Sequence, residues 1–257
     1  MRIHISKAAV AVLLLLAVVG CGSPEEKKAK YLAQAQDYIH EGNLPKARVA
    51  LRNVLKIDPK DPEAYFVFAE VEEKEKNWGT AFANYQRTVE LKSDHEKALL
   101  KLAKFYLEGR AVDKVLEMTD RVLKKSPEQV EAQALKIAVQ AVKGDMSEAT
   151  LAAESLDAKH PTDPDAATIL ATLYLAQGRG DQVEPVMQRA VDANPDNFTL
   201  LESFASALLR LNKSDQAEEI LKKIVAAEPK VLDHRLRLAG FYDERRDYDK
   251  AESILRE

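Results

Sequence analysis

The sequence predicts an all-α protein, an array of helix pairs that recurs every 34 residues. Three observations carry this. Sliding the chain from Lys28 against itself by 34 residues superposes one pattern six times and part of a seventh, with no insertion or deletion. Pro59, Pro127, Pro161, Pro195 and Pro229 all fall at repeat position 32, with Ser93 the one substitute. Composition agrees: 37 Ala and 31 Leu against only 9 Gly and 10 Pro in 257 residues favour helices over a many-stranded sandwich or barrel.

Counting back from the prolines, the repeats start at Lys28, Pro62, Glu96, Val130, Pro164 and Phe198, with a partial seventh from Leu232. In each, apolar residues at i, i+3 and i+4 predict a first helix over positions 1–14 and a second over 18–31. Position 8 holds Ala35, Ala69, Ala103, Ile137, Ala171, Ala205 and Ala239. Position 20 holds Ala47, Ala81, Val115, Ala149, Val183, Ala217 and Ala251. Small side chains there let the two helices approach closely, and bulk would force them apart. Gly42, Gly144 and Gly178 at position 15 supply the turn. Tyr38, Tyr106, Tyr174 and Tyr242 at position 11 fill the space between units. Proline at 32 ends the second helix, because it cannot continue the hydrogen-bond ladder.

This pattern resembles the tetratricopeptide repeat (TPR) family over residues 28–257. The resemblance implies a right-handed superhelical solenoid of helix-turn-helix repeats. It also implies a concave surface, lined by first-helix positions 2, 5, 9, 12 and 13, that receives a protein or peptide segment. Departures are local. Repeat 2 has Glu72 where an aromatic is usual, and repeat 4 has Ile137 at position 8 and Gln140 at position 11. Pro185, early in the second helix of repeat 5, is expected to loosen or shorten that helix. The chain stops at Glu257, position 26 of repeat 7, which reads as part of a longer array or a fragment.

The first residues carry an address. Arg2 and Lys7 precede an apolar run of 12 residues, Ala8 to Val19, which ends in Gly20-Cys21. A helix that spans a membrane needs about 20 residues, so the run suits a secretory signal instead. The segment resembles the lipobox of bacterial lipoproteins, which implies cleavage after residue 20 and a diacylated Cys21. Cys21 is the only cysteine, so it is the lipidation candidate and the chain has no intramolecular disulfide or cysteine cluster. Several acyl chains together anchor a protein stably. Gly22, where Asp would favour retention in the inner membrane, implies transfer to the periplasmic face of the outer membrane. Residues 21–27 are expected to form a short polar tether before the array.

Charge and motifs exclude other classes. Net charge is −4, or −6 once residues 1–20 are removed, which speaks against nucleic-acid binding. His4, His40, His95, His160 and His234 lie at unrelated repeat positions, and no phosphate loop, nucleophile elbow or metal helix is present. No catalytic residue, metal site or cofactor is expected. The carboxylate clamp of some TPR relatives is missing, since Leu32, Gln36 and Val67 stand where it requires Lys and Asn.

Two surfaces remain as candidates. Repeats 4–6 place short, weakly polar side chains on the concave face: Ala134, Ala138, Thr168, Thr172, Leu175, Ser206 and Leu209. A partner backbone or helix could approach such a surface closely. Repeat 3 offers Lys97, Lys101 and Lys104 to an acidic partner segment. The expected function is therefore a lipid-anchored scaffold of an envelope assembly or export system. The stretch behind the lipobox, AQDYIHEGNLPKARVALRNVLKIDP, looks like the TPR lipoproteins of exopolysaccharide and exosortase systems. The alternatives are a type IV pilus or outer-membrane protein assembly lipoprotein, and the non-catalytic part of a longer enzyme.

Overall fold

A computed structural model describes residues 23–229 and 231–256, so the signal sequence and Cys21 lie outside the described residues. Fourteen α-helices are present among the described residues, and they pair into seven hairpins. The chain divides after Ser93 into two compact units. Unit 1 holds α1 (Pro24–His40), α2 (Leu44–Ile57), α3 (Pro62–Lys74) and α4 (Trp78–Leu91). Unit 2 holds the other five hairpins: α5 (Glu96–Glu108) with α6 (Val112–Lys125), α7 (Val130–Val142) with α8 (Met146–Lys159), α9 (Pro164–Ala176) with α10 (Val183–Ala193), α11 (Phe198–Arg210) with α12 (Ser214–Ala227), and α13 (Leu232–Glu244) with α14 (Tyr248–Arg256).

The helices keep the repeat's phase almost to the residue. From repeat 2 onward every first helix starts at position 1 and ends at 13, and second helices run from 17 to 30 where both ends are regular. All fourteen residues at positions 8 and 20 are buried. No hairpin is large at both. Ile137 shares its repeat with Ala149, and Val115 and Val183 share theirs with Ala103 and Ala171, so one side of each pair always stays small.

Position 15 is left-handed in all seven hairpins, not only at glycine. Gly42, Gly144 and Gly178 have positive φ, and so do Lys76, Arg110, Asn212 and Arg246 at φ 54–62°. The reason lies in the hydrogen bonds. In every hairpin the position-16 N–H reaches back to the position-11 carbonyl at 2.7–3.1 Å, and the position-15 N–H to the position-12 carbonyl. This Schellman arrangement satisfies the last carbonyls of the first helix and requires the left-handed residue between them.

The second helices stop at position 30 for a reason other than proline alone. The residue before proline is pushed out of the α region, and Asp58 is extended, at φ −133° and ψ 94°. Yet Lys92, which precedes Ser93, adopts φ −135° and ψ 91°, and α4 ends at the same repeat position. Five of the six following first helices start behind a capping side chain: Asp61, His95, Gln129, Asp163 and Asn197 all accept from a backbone N–H two or three residues on, while α13 starts behind Val231, which has no such group. His95 does so through Nδ1, 3.2 Å from the Ala98 nitrogen, which gives this buried histidine a structural role.

Three local features have physical causes, and the first departs from the sequence reading. The expected tether is mostly helix: Ser23 and Glu26 form a capping box, Ser23 Oγ accepting from the Glu26 N–H at 3.1 Å and Glu26 Oε2 from the Ser23 N–H at 2.8 Å, so α1 begins at Pro24. In repeat 5, Pro185 cannot donate to the residue-181 carbonyl, and Gly180–Gln182 form a 3₁₀ turn, so α10 is reduced to 11 residues. A Cβ at Gly180 would lie 2.5 Å from Leu211 Cδ2, so a larger residue there would require the Leu211 side chain to move. Glu72, at the aromatic position of repeat 2, is buried but compensated. It meets Arg48 from α2 at 2.9 Å and accepts from Asn77 Nδ2 at 2.9 Å, while Arg48 also grips Glu75. Lys28 adds a second tie in unit 1, bridging α1 to Asp58 at 3.3 Å and Asp61 at 3.0 Å in the loop after α2. Its pKa is raised, first by Glu25 and then by Asp61.

Candidate partner-binding groove

In unit 2 the first helices α9 and α11 lie side by side with α10 beneath them. Thr168, Thr172 and Leu175 stand on one flank and Ser203, Ser206 and Arg210 on the other, around a depression of about 240 Å³. Its floor is Ala171, Met187 and Ala207, all buried. The 34-residue repeat explains the alignment: Thr172 and Ser206 occupy position 9 of successive repeats, and Met187 rises from position 24 of the second helix. Thr172 Oγ1 donates to the Thr168 carbonyl at 2.7 Å, and Ser203 Oγ to the Thr199 carbonyl at 2.9 Å. Among the described residues Arg210 makes no ion pair, so its guanidinium stands free at the rim. The depression offers an apolar floor for one aliphatic side chain, hydroxyls at its walls and one cation at its edge.

Of the seven residues expected on this surface, Thr168, Thr172, Leu175 and Ser206 are brought together here. The other three are not. Ala134 is buried in the core, Leu209 packs partly buried against that core, and Ala138 lies half-buried on α7. The physical reason is size. Alanines at positions 5, 9 and 12 of repeat 4 are too short to wall a depression, whereas Thr168, Thr172, Leu175 and Arg210 wall the one between α9 and α11.

Lys97, Lys101 and Lys104 do not form an open basic trio. Lys104 is ion-paired with Glu131 of the next hairpin at 2.6 Å, Lys101 is half-buried with an interaction of its own, and Lys97 is exposed. Beyond Glu131, at the same repeat position, stands Asp165. Burial, then the charge of Glu131, pushes its carboxyl up to about 6, and Lys104 offsets this only in part. The sequence reading missed Arg210, Ser203 and Met187. Arg210 was legible at position 13, one of the concave positions; Met187 was not, because it reaches the groove from a second helix.

These features define a class: helical hairpins whose first helices shape a groove, with no cluster of metal-ligating side chains among the described residues. Family models agree. Tetratricopeptide repeat models match residues 32–96 and 208–257, and the model of the Psidin N-terminal TPR repeats region matches residues 105–220. The chain belongs to the tetratricopeptide repeat proteins, scaffolds for protein–protein interaction. Comparison with curated proteins found no match. Among solved structures, the chain is similar to PilF of Pseudomonas aeruginosa, at 18% identity over 84% of this chain and 99% of that one, with TM-score 0.55. PilW, described as a widely conserved type IV pilus biogenesis factor, aligns at 19% identity over 79% of this chain and 94% of its own, also with TM-score 0.55. Yeast Tom70 gives TM-score 0.64 at 12% identity, over 96% of this chain and 53% of its own. At these identities the likeness shows the fold. No helix among the described residues is long and apolar enough to cross a membrane.

Proposed function

We propose that this protein is a non-catalytic scaffold of the bacterial envelope, anchored by lipid on Cys21, that holds a polypeptide segment in the groove between α9 and α11. The observation that carries the reading is the groove itself. An apolar floor of Ala171, Met187 and Ala207 lies under hydroxyls and the free Arg210, and such a surface binds side chains rather than transforming them. The lipobox-like end at Gly20-Cys21 supports the anchor. A role in type IV pilus assembly is supported by the two pilus factors among the structural neighbours, and one in exopolysaccharide or exosortase systems by the texture of the sequence behind Cys21.

Thr172→Arg tests the groove. Thr172 is exposed at the groove's flank, so the substitution should preserve helical circular dichroism and the melting temperature. It should weaken co-purification of the natural partner by about tenfold or more, about 1.4 kcal/mol of binding free energy. Gln188→Arg, at an exposed position of α10, is the control and should have little effect. Unchanged recovery with Thr172→Arg, or equal loss with both variants, would refute the groove.

A further inference from the structure

Repeat 4 departs from its neighbours along one row. At positions 4, 7 and 11, repeat 3 has Leu99, Leu102 and Tyr106, and repeat 5 has Ala167, Leu170 and Tyr174. In repeat 4 the same row reads Gln133, Lys136 and Gln140. Here polar side chains take the place of apolar and aromatic ones, around a cavity of about 370 Å³ between α6 and α8, with α7 at its base. It is distinct from the groove, which is walled by the first helices α9 and α11.

The cavity is polar at its walls and apolar beneath. Leu123, Ile137 and Leu156 supply aliphatic surface, and Lys159 and Ser155 of α8 stand opposite the glutamines. Gln133 donates to the Pro127 carbonyl at 2.8 Å, and Lys136 to Asp120 at 2.7 Å. Among the described residues, the Gln140 amide, the Ser155 hydroxyl and the Lys159 ammonium have no hydrogen bond or ion pair. Asp120 is well exposed, so its hold on Lys136 is weak and open to exchange.

We propose that this cavity is a second docking surface, for an acidic polypeptide segment. A glutamate of that segment lays its methylenes on Leu123 and Leu156 and sets its carboxylate between Lys136 and Lys159, displacing Asp120. The Gln140 side chain carries a donor and an acceptor at the spacing of a peptide group, so it pairs with the segment's main chain in both senses. None of the lining residues is aromatic, so a sugar ring finds no stacking face here, which decides for a polypeptide over an acidic saccharide.

The test uses the full chain in detergent and a fluorescein-labelled peptide, acetyl-Gly-Leu-Glu-Glu-Leu-Glu-Gly, followed by anisotropy. The peptide should bind saturably and at least tenfold more tightly than its counterpart with Gln for every Glu. Lys136→Glu with Lys159→Glu in one chain should lower the affinity at least tenfold. Gln140→Tyr, which restores the row of the neighbouring repeats, should fill the cavity and abolish binding while helical circular dichroism is retained. Thr172→Arg should leave this binding unchanged, which separates the cavity from the groove. Equal affinity for the two peptides, or binding that survives both cavity variants, overturns the proposal. So does an oligoglucuronate that competes for the cavity more tightly than the peptide, since the site would then be a saccharide's.

Discussion

At the scale of single residues, helix spacing is set by volume at two positions. Ala103 is fully buried where α5 meets α6, and its partner position already carries Val115. Ala103→Leu therefore adds bulk with nowhere to go, and should cost on the order of 1–3 kcal/mol. Lys124→Leu, at an exposed position of α6, should change stability by less than about 0.5 kcal/mol. Thermal melts compare the two, and equal midpoints would show that the repeat frame is misplaced. The small residues at 8 and 20 were legible in the sequence because alanine recurs there at a fixed phase. The left-handed turn was half legible. Three glycines announced it, but Lys76, Arg110 and Arg246 adopt the same backbone because the hydrogen bonds of the turn demand it, and no side-chain signal reports that.

At the scale of elements, departures from the pattern mark where polar groups replace packing. Glu72 is held in the interior of unit 1 by Arg48 and Asn77. Removing one partner of such a pair leaves a charge buried without compensation, so Arg48→Ala should cost roughly 3 kcal/mol in denaturant titrations. Arg48→Met combined with Glu72→Leu should recover most of that loss, because an apolar pair of similar size needs no compensation. Asp165, in the first turn of α9, behaves differently. Its folded pKa of about 6 lies above the unfolded value, so ionisation opposes folding. The penalty is absent below about pH 3.8, grows between there and pH 6, and is complete above. Asp165→Asn should thus raise stability at pH 7.5 by on the order of 1–3 kcal/mol and change it little at pH 3.8. A stability gain of equal size at both pH values would contradict this origin. Proline placement was a sound guide to helix ends, and Pro185 to the shortening of α10. Ser93 shows that the exit is encoded redundantly, since α4 stops at its phase without one.

For the molecule as a whole, the fold was nearly all in the sequence and the groove only partly. Period, punctuation and small residues are properties of single positions, whereas the groove depends on how far apart neighbouring helices settle. Thr168, Thr172, Leu175 and Ser206 come together as their phase implies, whereas Ala134 is buried, because alanine can both line surfaces and close them. The proposed anchor is tested by localisation: Cys21→Ser should abolish incorporation of labelled palmitate and release the protein from the membrane fraction, or leave it with its signal uncleaved. Palmitate label that persists in this variant would remove the lipoprotein reading. The constant phase of the helix starts has one more consequence. Excising Val130–Asp163 joins Gln129 to Pro164, and the Gln129 side chain, which now caps α7 through the Ala132 N–H at 2.6 Å, would meet Ala166 in the equivalent place. Both alanines are fully buried at position 3 of their helices. A gene encoding this chain can therefore lengthen or shorten by whole hairpins through unequal recombination, with the junctions behind Asp61, His95, Gln129, Asp163 and Asn197 arriving already capped.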